Sequence, residues 1–89
     1  MATVNTKVTV GSTSTQILAA NSRRRTAVII NDSDEVVYVS LGSAAVMNSG
    51  TRLNPNGGVL SIGAEDDYNG PVAGICASGN KNVTVCEVD

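Results

Sequence analysis

No stretch of the 89 residues keeps an apolar pattern at the helical period of 3.6 residues. Instead, short β-branched runs recur roughly every ten residues between clusters of Gly, Asn, Ser and Asp. Thr3–Val10 is the clearest case, with Val4, Val8 and Val10 on one face and Thr3, Asn5, Lys7 and Thr9 on the other. A second short strand is predicted at Gln16–Ala20, and further ones at Thr51–Leu53 and Val59–Ile62 around the turn Asn54-Pro55-Asn56-Gly57-Gly58. This rhythm predicts an all-β chain: a small antiparallel β-sandwich or β-barrel of about seven to eight short strands.

Two hairpins are expected. Thr26–Asn31 and Val36–Leu41 flank the turn-rich Asp32-Ser33-Asp34-Glu35, and Pro71–Ala77 and Asn82–Val88 flank Gly79-Asn80. Ala27 and Ile29 alternate with Val28 and Ile30, so the strand at Thr26–Asn31 is apolar on both faces. That predicts a central strand covered on both sides, or one with a face turned to a partner. Gly42–Gly50 reads as a small-residue loop or a single helical turn. Residues 1–12 are expected to form an N-terminal strand or arm, removable without unfolding the rest, and residues 13–89 a single β domain.

Hydrophobic residues make up 42% of the chain but aromatic ones only 2%, namely Tyr38 and Tyr68, so Val, Ile, Leu and Ala must build the core. Such a core stabilises a lone small domain weakly and favours help from a neighbouring chain. The absence of histidine removes imidazole bases, Ser-His-Asp and Cys-His constellations and mixed zinc sites. A non-enzymatic protein without cofactor or metal is expected. A net charge of −2 disfavours binding to nucleic acid. No apolar run approaches the ~20 residues that span a bilayer, and the first residues lack the plan of a signal peptide, so no membrane association and no secretion are expected.

In a two-residue hairpin at Gly79-Asn80, Cys76 faces Val83 and Cys86 faces Ala73, which puts the two sulfurs on opposite faces of the ribbon. Two free, packed cysteines are expected. Neither has a histidine to activate it as a nucleophile.

Arg23-Arg24-Arg25 is the densest charge in the chain. At a loop-to-strand junction it reads as a solvated surface, as a grip on carboxylates of another subunit or, less favoured in an acidic chain without aromatic interleaving, as a grip on phosphate. The acidic clusters Asp32/Asp34/Glu35 and Glu65/Asp66/Asp67 match no calcium loop and read as turns. Their charge also suits head-to-tail packing of identical subunits against the arginine block. Asn54–Gly58 lacks the Lys-Ser/Thr ending of a phosphate loop.

Several phrases together carry a resemblance: Ile17-Leu18-Ala19-Ala20-Asn21 with Arg23-Arg24-Arg25, Ile29-Ile30-Asn31-Asp32-Ser33, and Tyr38-Val39-Ser40-Leu41-Gly42. Leu53–Gly58, Tyr68-Asn69-Gly70-Pro71-Val72 and Ile75-Cys76-Ala77-Ser78-Gly79 complete it. Over roughly residues 16–88 the chain resembles small structural proteins of tailed-bacteriophage particles, of the kind encoded among head and tail genes. The resemblance implies a virion component made in the host cytoplasm. It further implies a head decoration or cement protein that binds the major capsid protein or other virion proteins as a homo-oligomer, a trimer suiting a three-fold position. The alternatives are a neck, tail or fibre-associated protein and, in another class, a soluble ligand-binding β-module. Under this reading the interaction residues are Val4, Val8 and Val10, whose strand would add to a neighbour's sheet edge, and Arg23, Arg24 and Arg25.

Overall fold

A computed structural model describes residues 2–89; residue 1 of the expected 1–12 segment lies outside it. The described chain forms β1 (Thr3–Val10), β2 (Thr15–Leu18), β3 (Thr26–Asn31), β4 (Val37–Leu41), β5 (Thr51–Leu53), β6 (Val59–Ile62), a 3-10 turn at Ala64–Asp66, β7 (Val72–Cys76) and β8 (Lys81–Val88). The strands make two four-stranded sheets, in the orders β1-β8-β3-β6 and β2-β7-β4-β5, and every pairing is antiparallel. This is the connectivity of a jelly roll, and the two sheets face each other as a sandwich without closing into a barrel.

Neither expected hairpin forms. β3 and β4 lie in different sheets, as do β7 and β8, so Asp32–Glu35 and Ala77–Asn80 are arches that carry the chain across the core. Only β4 and β5 are both consecutive and paired, joined by the Gly42–Gly50 loop, which contains no helix. Asn31 shows why the first turn arches. It is fully buried, its Nδ2 donates to the carbonyls of Glu35 (2.8 Å) and Leu53 (2.9 Å), and its Oδ1 accepts from the Ser33 hydroxyl (2.6 Å). The amide side chain thus satisfies backbone groups that a hairpin ladder would have paired.

Alternation sorts the residues of each strand into core and surface. Val10, Ile17, Leu18, Ala27, Ile29, Val37, Val39, Leu53, Ile62, Val72, Cys76, Val83 and Val85 form one buried cluster between the sheets. Side chains of the core close on Gly74, where a Cβ would lie 2.7 Å from Ile17 Cδ1 and 3.5 Å from Val10 Cγ2. Gly50, at φ +82°, closes the loop into β5; a Cβ there would lie 2.4 Å from the Val39 carbonyl oxygen.

Both cysteines are free, as expected, although the geometry is not that of a ribbon. Cys76 is buried on the inner face of one sheet, and Cys86 is half-buried on the outer face of the other. β1 differs from a detachable arm in one respect: Val10 is fully buried in the core, and the Gly11 carbonyl accepts from Cys76 N at 3.0 Å. Removing residues 1–11 would therefore take part of the core with them.

Candidate interaction surface

Strand direction divides the connections between the two ends of the sandwich. One end carries residues 19–25, residues 42–50, residues 63–71 and the two termini; the other carries residues 11–14, 32–36, 54–58 and 77–80. The three arginines thus lie at one end with Glu65–Asp67, and Asp32–Glu35 lie at the other.

The arginine block splits by burial. Arg24 turns inward, with its side chain 1% exposed, and its Nε donates to Glu87 Oε2 at 2.7 Å. Its Nη1 donates to the carbonyls of Gly70 (2.9 Å) and Tyr68 (3.3 Å), and its Nη2 to that of Ala19 (2.8 Å). The guanidinium therefore ties the β2–β3 connection, the β6–β7 connection and β8 together, and at 1% exposure it is closed to a partner. Arg23 and Arg25 remain exposed and, with Ala2 and Asp89, line an open hollow of about 370 Å³. Arg25 also borders a smaller cleft of about 160 Å³ beside Ala64, Asp67 and Tyr68. Ala2 N donates to Asp89 Oδ1 at 2.9 Å, and that bond, with Asn21 and Arg23 nearby, holds the Asp89 carboxyl below its ordinary pKa.

Glu87 was not singled out by its charge, yet its position carries a signal. It continues the inward parity of Val83 and Val85, and a carboxylate on an inward face calls for a buried cation.

The acidic residues at the far end are engaged locally. Asp34 pairs with Lys81 at 2.7 Å, which lowers the aspartate pKa and raises that of the lysine. Glu35 accepts from Ser78 Oγ (2.6 Å) and Ser78 N (2.8 Å), and its pKa is lowered for that reason. At the arginine end, Asp66 Oδ2 likewise accepts locally, from Gly63 N at 2.7 Å. Among the described residues, no three His, Cys, Asp or Glu side chains gather as metal ligands would.

The predicted valines lie on one face of β1 but in different surroundings. Val10 belongs to the core, Val8 packs against it, and Val4 is 51% exposed because no strand of the opposite sheet reaches it. β1 pairs with β8 in unbroken register from Thr3↔Val88 to Val10↔Lys81, and its other edge is a border of the sheet. Beyond β8, the outer face of the same sheet presents Val28, Ile30, Cys86 and Val88 half-buried and Val59 56% exposed. The doubly apolar character of β3 thus has one side in the core and the other on the surface.

The fold is a small jelly-roll sandwich whose sequence-predicted residues fall on an edge strand and one loop end. The chain matches no family model, no curated protein and no solved structure.

Proposed function

We propose that this is a non-enzymatic virion structural protein of a tailed bacteriophage, a decoration or cement protein that binds the major capsid protein of the assembled head. The observation that carries the reading is the apolar patch on the outer face of β8, β3 and β6, bordered on β1 by Thr3, Asn5, Lys7 and Thr9. Val28, Ile30, Val59, Cys86 and Val88 stand there beside the half-exposed Thr26 and Thr84. An apolar patch of five side chains, with Ser61 also on this face, is on so small a molecule a surface for burial against another protein. Arg23 and Arg25, exposed at the end of this sheet, would add charge-assisted contacts to capsid carboxylates. The jelly roll hosts many functions and supports the reading only as a fold common among viral shell proteins.

Mechanism here is adhesion. A protein that binds the assembled shell and not its separated subunits stabilises the shell by mass action, so rupture under packaged DNA must break its contacts as well. Association of identical copies on the shell, at a three-fold position or another symmetry element, multiplies these contacts.

Quantitative mass spectrometry of purified mature particles tests the reading. Hundreds of copies per particle are expected. About a dozen would move the protein to the neck or tail, and its absence from particles would end the virion reading in favour of a soluble β-module. Ile30→Glu is expected to abolish attachment to heads without unfolding the domain, since Ile30 points away from the core.

A further inference from the structure

The free edge of β1 has a self-complementary register. Asp89 N donates to the Ala2 carbonyl at 2.9 Å, which fixes the phase of the β1–β8 ladder: the even residues of β1 bond to β8, and the odd ones turn their N–H and C=O groups to the open edge. On that edge the Lys7 carbonyl accepts a long bond of 3.4 Å from the neighbouring Thr6 hydroxyl. Thr3, Asn5, Lys7 and Thr9 therefore offer unpaired backbone groups along a strand of 8 residues that has no proline, no bulge and a single charge. Natural edge strands are usually blunted by such devices, and this one carries only Lys7.

We propose that β1 pairs antiparallel with β1 of a second copy about a two-fold axis through Thr6, making one continuous eight-stranded sheet. The register follows from the side chains. An odd residue must meet an odd one for the edge groups to bond, so the possible pairings step by two residues. Centred on Thr6, Asn5 meets Lys7 of the second copy, Thr3 meets Thr9, and the exposed Val4 covers Val8 on the inner face. Centred on Lys7, the two lysines oppose each other, and like charges directly opposite are destabilising. Centred on Asn5, Val4 meets Thr6 and the apolar match is lost. The Val4-centred register also sets Val4 against an apolar partner but pairs only Thr3 and Asn5 of the odd edge residues, so the Thr6-centred register is the one that buries Val4 against valine, keeps the lysines apart and uses the whole edge.

This interface rests on the self-association in the reading above and not on the virion assignment, which particles test separately. Sedimentation equilibrium of the purified full chain, from about 1 to 100 µM, should give twice the mass of the chain. In a Cys86→Ser background, Thr6→Cys places two thiols across the axis, where directly opposed Cα atoms lie about 4.5 Å apart, within disulfide reach. Mild oxidation should convert it to a covalent dimer. Val4→Cys should cross-link when mixed with Val8→Cys, and neither should do so alone. Lys7→Pro, which removes an edge-facing N–H and none bonded to β8, should give a folded monomer. A monomeric mass throughout would overturn both this interface and the homo-oligomer reading. A trimer would keep the oligomer and overturn the two-fold pairing. So would a dimer in which Thr6→Cys fails to cross-link, or a folded Lys7→Pro chain that still dimerises.

Discussion

Arg24 Nε and Glu87 Oε2 lie 2.7 Å apart, with the arginine side chain 1% and the glutamate 16% exposed. Burial of this pair without the three accompanying carbonyl bonds would be costly, because desolvating two charges rivals their attraction. With those bonds the guanidinium becomes the fastening of the loop end at which both termini lie.

Arg24→Met should therefore cost about 3–5 kcal/mol, the range for breaking a buried pair and stranding its partner. Arg23→Ala and Arg25→Ala should each stay within about 0.5 kcal/mol, as exposed positions do. Urea denaturation of the three variants makes the comparison; equal losses would refute the division of the block into one structural and two surface arginines.

Gly74→Ala should overpack the core against Ile17 Cδ1 and destabilise by about 1–3 kcal/mol. Adding Ile17→Val removes the atom in the way, so the double variant should recover part of the loss. A double-mutant cycle with no coupling would place the strain elsewhere.

Asn31→Ala leaves the Leu53 carbonyl without its side-chain donor, in a buried bond, and removes one of two side-chain donors to the Glu35 carbonyl, which also accepts from Ser33 Oγ at 3.0 Å. A loss of about 1–3 kcal/mol is expected from unsatisfied buried groups. The thermal midpoint of the variant measures it, and an unchanged midpoint would mean that the arch does not depend on Asn31.

The pH response follows from the lowered carboxyl pKa values of Asp34, Glu35 and Asp89 and the raised one of Lys81. A carboxyl with a depressed folded pKa contributes stability above its unfolded value, near 4, and loses it as pH falls through the folded value. Lys81 contributes fully below its unfolded value, near 10.4, and loses it as pH rises through the folded one. With no histidine in the chain, the thermal midpoint should be flat between about pH 5 and 9, falling on both sides. None of the four groups is buried, so salt should shrink both limbs. A transition near pH 6.5 would contradict this account.

Cys86 should react with a thiol reagent in the native state, and Cys76 only on unfolding, because the two lie on the outer and inner faces of different sheets. Oxidation of the monomer should give no intramolecular disulfide. Mass spectrometry of labelled peptides distinguishes the two sites.

Strand positions were legible because a period of two is a local property: Thr3–Val10, Thr26–Asn31 and Thr51–Leu53 appear where alternation and turn residues put them. Strand partnership was not. A turn such as Asp32–Glu35 is compatible with a hairpin or an arch, and the choice rests on Asn31 reaching backbone groups of residues 35 and 53, one of them distant in sequence. The arginine block shows the same limit. Adjacent residues in irregular backbone have no fixed parity, so the sequence marks three cations without saying that the middle one is buried. Glu87, by contrast, could have been found from the inward parity of Val83 and Val85.

The strand that completes the first sheet comes last of the eight in sequence. β8 sits between β1 and β3, so until residues 81–88 have left the ribosome, β1 has neither a ladder partner nor a place in a sheet. Folding should then be slow for a domain of this size, since the pairing that closes the first sheet joins β1 to β8, the two strands farthest apart in sequence. During that interval both edges of β1 are open, and the risk of mispairing between nascent chains is concentrated in the same eight residues.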